Sequence, residues 1–218
     1  PDVEIQRYAS LAIAGLALGD HGDNKVRLVE EGAVRPLVDL ARFPDTEVQR
    51  CSSLALTAIA LGAHAVTKVG IMQEEGLLPL LSLASSSDTE CVRSATYALG
   101  ALAENDEVKA RIVELGGMIT IVSQAGSGDA EIKRNCAYFL AVLSEDMQFH
   151  DDIVRDSGLD AIIALASLED VEVQEYAAFS LAHIASNFEY PEELNNSRKL
   201  MQAMREDVAN IRSLWDFE

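Results

Sequence analysis

The stretch DTECVRSATYALGALA, residues 88–103, is written five times along this chain with variations. The other copies begin at Asp2 (DVEIQRYASLAIAGLA), Asp45 (DTEVQRCSSLALTAIA), Asp129 (DAEIKRNCAYFLAVLS) and Asp170 (DVEVQEYAAFSLAHIA), so successive starts lie 43, 43, 41 and 41 residues apart. A fixed period in this range predicts a solenoid, in which each unit buries its apolar face only by stacking on its neighbours.

Each copy reads as one amphipathic helix. Its opening Asp stands where an N-cap accepts the unpaired N–H groups of the first turn. A Glu two residues later favours the positive end of the helix dipole. An apolar stripe then runs at helical spacing: Ile5, Ala9, Ala12, Ile13 and Leu16 in the first copy, and Cys91, Ala95, Ala98, Leu99 and Leu102 in the third. The small residues in the stripe allow neighbouring helices to approach closely along the whole array.

Between copies lie two shorter helical segments joined at glycine, for example Lys25–Glu31, Gly32, Ala33–Arg42 and Lys68–Glu75, Gly76, Leu77–Ala84. Gly76, Gly117 and Gly158 recur every 41 residues. A glycine here is expected to supply the left-handed backbone that turns one short helix into the next. Pro36 and Pro79 fall in the first turn of the helix that follows, where a missing N–H costs little.

The unit is therefore short helix, glycine turn, helix, acidic cap, long helix. EEGAVRPLVDLARFPDTEVQRCSSLALTAIALG and its three successors resemble the armadillo repeat over residues 2 to about 187. The glycine between the first two helices separates the pattern from two-helix repeats. The resemblance implies an all-α, right-handed α-solenoid of three-helix repeats, the armadillo superhelix, whose third helices line a concave groove that holds extended peptides. In this reading residues 1–187 form the array: 1–20 is the last helix of a truncated repeat, and 22–62, 65–104, 106–145 and 148–187 are full repeats. The chain opens inside a structural unit and is expected to be part of a longer protein.

After residue 187 the pattern fails. Residues 188–218 are expected to form a C-terminal helical cap or docking helix, with Met201, Met204, Val208, Ile211 and Trp215 as a narrow apolar seam. That seam either covers the end of the array or docks on a partner, including a second copy in self-association through Met201–Trp215.

Composition narrows the function. The 218 residues are 49% hydrophobic but 6% aromatic, the composition of close-packed Leu, Ala, Val and Ile. A net charge of −19 argues against a nucleic-acid partner. No apolar run is long enough for membrane insertion. Cys51, Cys91 and Cys136 are odd in number and read as small buried hydrophobes in a reducing, cytoplasmic setting, with the nucleus a second place for the protein. His21, His64, His150 and His183 show no metal-ligand spacing with Cys or with each other, and no catalytic residues, metal or cofactor are expected.

The face opposite the apolar stripe carries the candidate binding residues. Positions four apart read Arg7–Leu11–Gly15, Arg50–Leu54–Ala58, Arg93–Tyr97–Ala101, Arg134–Tyr138–Val142 and Glu175–Phe179–His183. Stacked up a groove, the Arg row would grip the carboxylates of an acidic peptide, while Leu11, Leu54, Tyr97, Tyr138 and Phe179 take its apolar side chains. Alternatively each Arg forms an ordinary surface pair with the Glu three residues earlier: Glu4, Glu47, Glu90 or Glu131. His183 stands where two earlier copies carry Ala. Importin-α adaptors carry Trp and, four residues on, Asn in this slot; neither appears here. The sequence thus points to a non-catalytic scaffold binding an extended acidic or apolar protein segment. An importin-α-like adaptor for basic peptides and a structural assembly module are the alternatives.

Overall fold

The computed structural model describes residues 2–18 and 22–187; the predicted C-terminal helix lies outside the described residues. Among these, thirteen α-helices and one 3-10 turn follow one another without a strand. The long helices are α1 (Val3–Ala17), α4 (Thr46–Ala60), α7 (Thr89–Ala103), α10 (Ala130–Ser144) and α13 (Val171–Asn187). Between them run α2 (Gly22–Glu30) and α3 (Val34–Ala41), α5 (Ala65–Gln73) and α6 (Leu77–Ala84), α8 (Asp106–Glu114) and α9 (Gly117–Ala125), then α11 (His150–Arg155) and α12 (Gly158–Ala166). The 3-10 turn Met147–Phe149 leads into α11.

Each long helix begins as its sequence requires. Asp45, Asp88, Asp129 and Asp170 accept the backbone N–H three residues on at 2.9–3.2 Å, from Val48, Cys91, Ile132 and Val173. The other end of α4 and of α7 receives a cation from the first short helix of the same repeat. Lys25 Nζ donates to Leu61 O at 3.5 Å, and the buried Lys68 Nζ donates to Ala101 O at 2.8 Å. A positive charge at exposed carbonyls complements the negative end of the helix dipole, and no described last turn of a long helix carries one of its own. At the same position of the next two repeats the partners differ: Lys109 Nζ donates to Asp106 at 3.1 Å, and the buried His150 has its Nε2 2.8 Å from Ser144 O at the end of the preceding long helix, α10.

Long helices pack side by side in chain order, α1 on α4, α4 on α7, α7 on α10 and α10 on α13, with the short helices layered behind them. One continuous core results. The column Val48, Cys91, Ile132 and Val173 is at most 2% exposed, as is the column Ile59, Leu102, Leu143 and Ile184. On α1 the expectation of a buried stripe is overturned. Ile5 and Leu16, the same columns, are 67% and 56% exposed. Among the described residues α1 has no short helices before it, so only the face turned to α4, with Ala14 and Ala17, is buried.

The turn between the short helices bears out the left-handed glycine at Gly32 and corrects the reading of Gly76, Gly117 and Gly158. The left-handed backbone falls at Gly32, Glu75, Gly116 and Ser157, with φ of 77°, 60°, 82° and 62°. Gly76 has a φ of −73°. The glycines of the 41-residue column stand one position later for want of space: a Cβ on Gly76, Gly117 or Gly158 would lie 2.9, 2.7 or 2.8 Å from the carbonyl oxygen of Ile71, Ile112 or Ile153.

Candidate functional site

The candidate residues sit on the long helices, which line one side of the array. There Leu54 and Thr57 of α4, Arg93 and Tyr97 of α7, Arg134 and Tyr138 of α10, and Tyr176 of α13 enclose a groove of about 590 Å³. Arg7, Leu11, Arg50, Phe179 and His183 hold the equivalent positions on flanking turns and do not line that volume. Leu11, Leu54, Tyr97 and Phe179 are 37–43% exposed, which is high for their type. The Phe179 and His183 rings lie 4.3 Å apart.

The arginines have a task beyond the two expected, although Arg50 and Arg93 do form the expected pair with the Glu three residues earlier. Each guanidinium holds the N-cap aspartate of the next long helix. Arg7 donates to both oxygens of Asp45 at 3.0 Å. Arg50 donates to Asp88 through Nε and Nη2 at 2.9 and 2.5 Å, Arg93 to Asp129 at 3.0 and 2.5 Å, and Arg134 to Asp170 at 2.9 and 2.8 Å. The Glu three residues earlier is a secondary partner, at 2.5 Å for Arg50–Glu47 and 2.6 Å for Arg93–Glu90. Arg93 and Arg134 also approach Glu131 and Glu172 of the next copy at 3.4 and 3.5 Å.

Electrostatics follow from this geometry. The Arg93 hydrogen bonds, opposed by partial burial and aided by the Ile132 N–H, hold the Asp129 carboxyl down at about 2. Arg50 depresses Asp88 further in the same way. With their forks engaged by the caps, the four Arg-bearing copies each have one guanidinium for two carboxylates, the cap Asp and the Glu near it, and the fifth has Glu175 in place of the Arg. The surplus is negative. Glu90, Glu131 and Glu172 are 56–63% exposed and stand on the groove wall.

The aromatic residues form a ladder across three repeats. The Tyr97 and Tyr138 ring centroids are 6.4 Å apart at 61°, and those of Tyr138 and Tyr176 are 5.6 Å apart at 49°. Such tilted and edge-on pairs are favourable beyond their burial. Tyr176 and Asn135, which the sequence reading missed, occupy the position directly after the Arg column. Asn135 Nδ2 is fixed by Arg93 O and Thr96 Oγ1, both at 3.1 Å.

The described cysteines are poor nucleophiles. Cys91 and Cys136 are pushed up to about 12, chiefly by burial, so their thiolates are not formed at neutral pH. Among the described residues no cluster of His, Cys, Asp or Glu could hold a metal ion, and no helix is long and apolar enough to cross a membrane.

Against solved structures the three-helix unit is decisive. An engineered protein is 33% identical over 85% of this chain and 75% of its own, with a TM-score of 0.80. A computationally designed armadillo repeat protein for modular peptide recognition superposes with a TM-score of 0.83 over 94% of this chain and 83% of its own, at 21% identity. The chain belongs to the armadillo repeat family. A further designed armadillo repeat protein, in complex with the peptide (KR)4, is 24% identical with a TM-score of 0.78, over 83% of this chain and 76% of its own. No protein-family model and no curated protein matches the sequence. In armadillo terms α1, α4, α7, α10 and α13 are third helices.

Proposed function

We propose that this armadillo array is a non-catalytic scaffold that holds an extended protein segment along its third helices, and that the segment is basic. One observation carries the choice of ligand. Every arginine of the groove row is already bound to the cap aspartate of the next repeat. An acidic segment would have to displace these bonds while facing Glu90, Glu131 and Glu172. A lysine or arginine side chain instead meets exposed carboxylates, and its alkyl stem and cationic head lie over Tyr97 and Tyr176. The acidic or apolar ligand first read from the Arg row therefore gives way to the basic alternative. The complex of a designed relative with (KR)4 supports the same reading. The buried, unreactive thiols fit the cytoplasmic setting expected from the sequence.

Titration with (KR)4 and with an acidic octapeptide tests this directly. Binding of (KR)4 is expected to weaken as salt rises, because exposed ion pairs are screened. Glu90→Gln combined with Glu131→Gln should weaken it by about tenfold, the loss of two partly exposed ion pairs. Preference for the acidic peptide would overturn the assignment.

A further inference from the structure

Within the column Leu11, Leu54, Tyr97, Tyr138 and Phe179, one member behaves differently. The other four are exposed, whereas Tyr138 is half-buried and packs against the core. Its ring lies down across α7, and the reason is local to that helix. Gly100 stands where the other third helices carry Ala14, Thr57, Ala141 and Ala182. A Cβ there would lie 2.6 Å from Tyr138 Cδ1 and 2.8 Å from Cε1.

The hydroxyl end is held as well. Tyr138 Oη donates to one oxygen of Glu104, and Lys68 Nζ donates to the other. Lys68 is in turn fixed by Ala101 O, so the chain of bonds runs from α5 over the end of α7 to α10. Burial opposes ionisation of Glu104, but the two donors overcome it and hold the carboxyl below its ordinary range. A buried lysine without an acceptor would be costly, so this chain is a fixed feature of the packing.

The geometry points to Gly100, Glu104 and Lys68 as positioning residues that lay the Tyr138 ring along the groove floor and open a recess for one long cationic ligand side chain between Tyr97 and Tyr176. This rests on the groove reading above and adds to it a single preferred anchoring point. In a ligand bound across several repeats, the side chain over Tyr138 sits deepest, faces the rings on either side and has Glu131 on the wall. A Cβ at position 100 lifts the ring into that space.

A double-mutant cycle on the whole chain, read by titration with (KR)4 and with folding checked by circular dichroism and thermal unfolding, tests the assignment. Gly100→Ala is expected to weaken binding about tenfold, the worth of one well-placed cation–aromatic contact. In a Tyr138→Ala background, with no ring to lift, Gly100→Ala should change the affinity by less than about twofold, so the two substitutions are coupled. Glu104→Ala, which frees the hydroxyl without filling the recess, should give an intermediate loss that Glu104→Gln, still an acceptor, partly restores. Equal effects of Gly100→Ala in both backgrounds, or none in either, would overturn the positioning role. Tyr97→Ala and Tyr176→Ala separate the two levels: if they weaken binding while Gly100→Ala does not, only this inference falls. If neither weakens it, the groove reading falls.

Discussion

The guanidinium of Arg93 on α7 grips the same carboxylate, Asp129, that caps α10. One aspartate thus starts a helix and ties it to the helix before, and the motif recurs from Arg7–Asp45 to Arg134–Asp170. The tie runs between repeats, at the surface where third helices meet. It leaves the glutamates as the surplus charge on the groove wall.

Asp129→Ala removes both functions at once. Loss of the cap alone costs about 1–2 kcal/mol, and the freed Arg93 is left with glutamates. Asp129→Asn keeps an acceptor for the Ile132 N–H but loses the charge, and is expected to cost less than the alanine variant. Urea unfolding of the three proteins should rank wild type, Asn, Ala in falling stability. Equal midpoints would show that the clamp contributes nothing.

The clamp also makes the array acid-labile over a defined window. Asp88 and Asp129 titrate lower in the folded chain than the usual value of about 4, with Asp129 at about 2. A depressed carboxyl contributes its full stabilisation above the unfolded value and loses it as pH falls through the folded one. Stability from these groups should therefore be flat from neutral pH to about 5 and fall steeply between about 4 and 2. Asp129→Asn should flatten part of that slope; an unchanged profile would contradict the assignment.

Periodicity made the fold legible, since five Asp-led copies forced the third helices and their spacing, and each cap behaves as read. The Arg row was legible as a row but not in its purpose. Arg93 and Asp129 are 36 residues apart, and local spacing exposes only the neighbour Glu90. Tyr176 was missed because it follows the Arg column by one position, a slot filled by Tyr8, Cys51 and Ser94 in earlier copies, so no pattern marks it. Gly32 has the left-handed backbone expected of it, but the column Gly76, Gly117 and Gly158 misled because backbone conformation and space are different demands one residue apart.

That separation is testable at Glu75 and Gly76. Glu75 holds a left-handed φ of 60° with a side chain, so Glu75→Gly should stabilise the array by roughly 0.5–1 kcal/mol. Gly76→Ala, with ordinary φ but no room beside Ile71 O, should destabilise it by roughly 1–3 kcal/mol. Thermal unfolding of Glu75→Gly decides between them: if the left-handed backbone belonged to Gly76 instead, Glu75→Gly would bring no gain in stability.

Leu16 and Leu102 occupy one column of the repeat in opposite surroundings, 56% and 0% exposed. Truncating Leu102 removes a packed side chain and leaves a cavity in the continuous core, so Leu102→Ala should cost about 2–5 kcal/mol. Leu16→Ala removes methyl groups already in water and should stay within about 0.5 kcal/mol. Denaturant unfolding at two protein concentrations reads both. A large cost at Leu16 that grows with concentration would mean that the outer face of α1 is buried by another molecule in solution, because burial against the chain itself cannot depend on concentration.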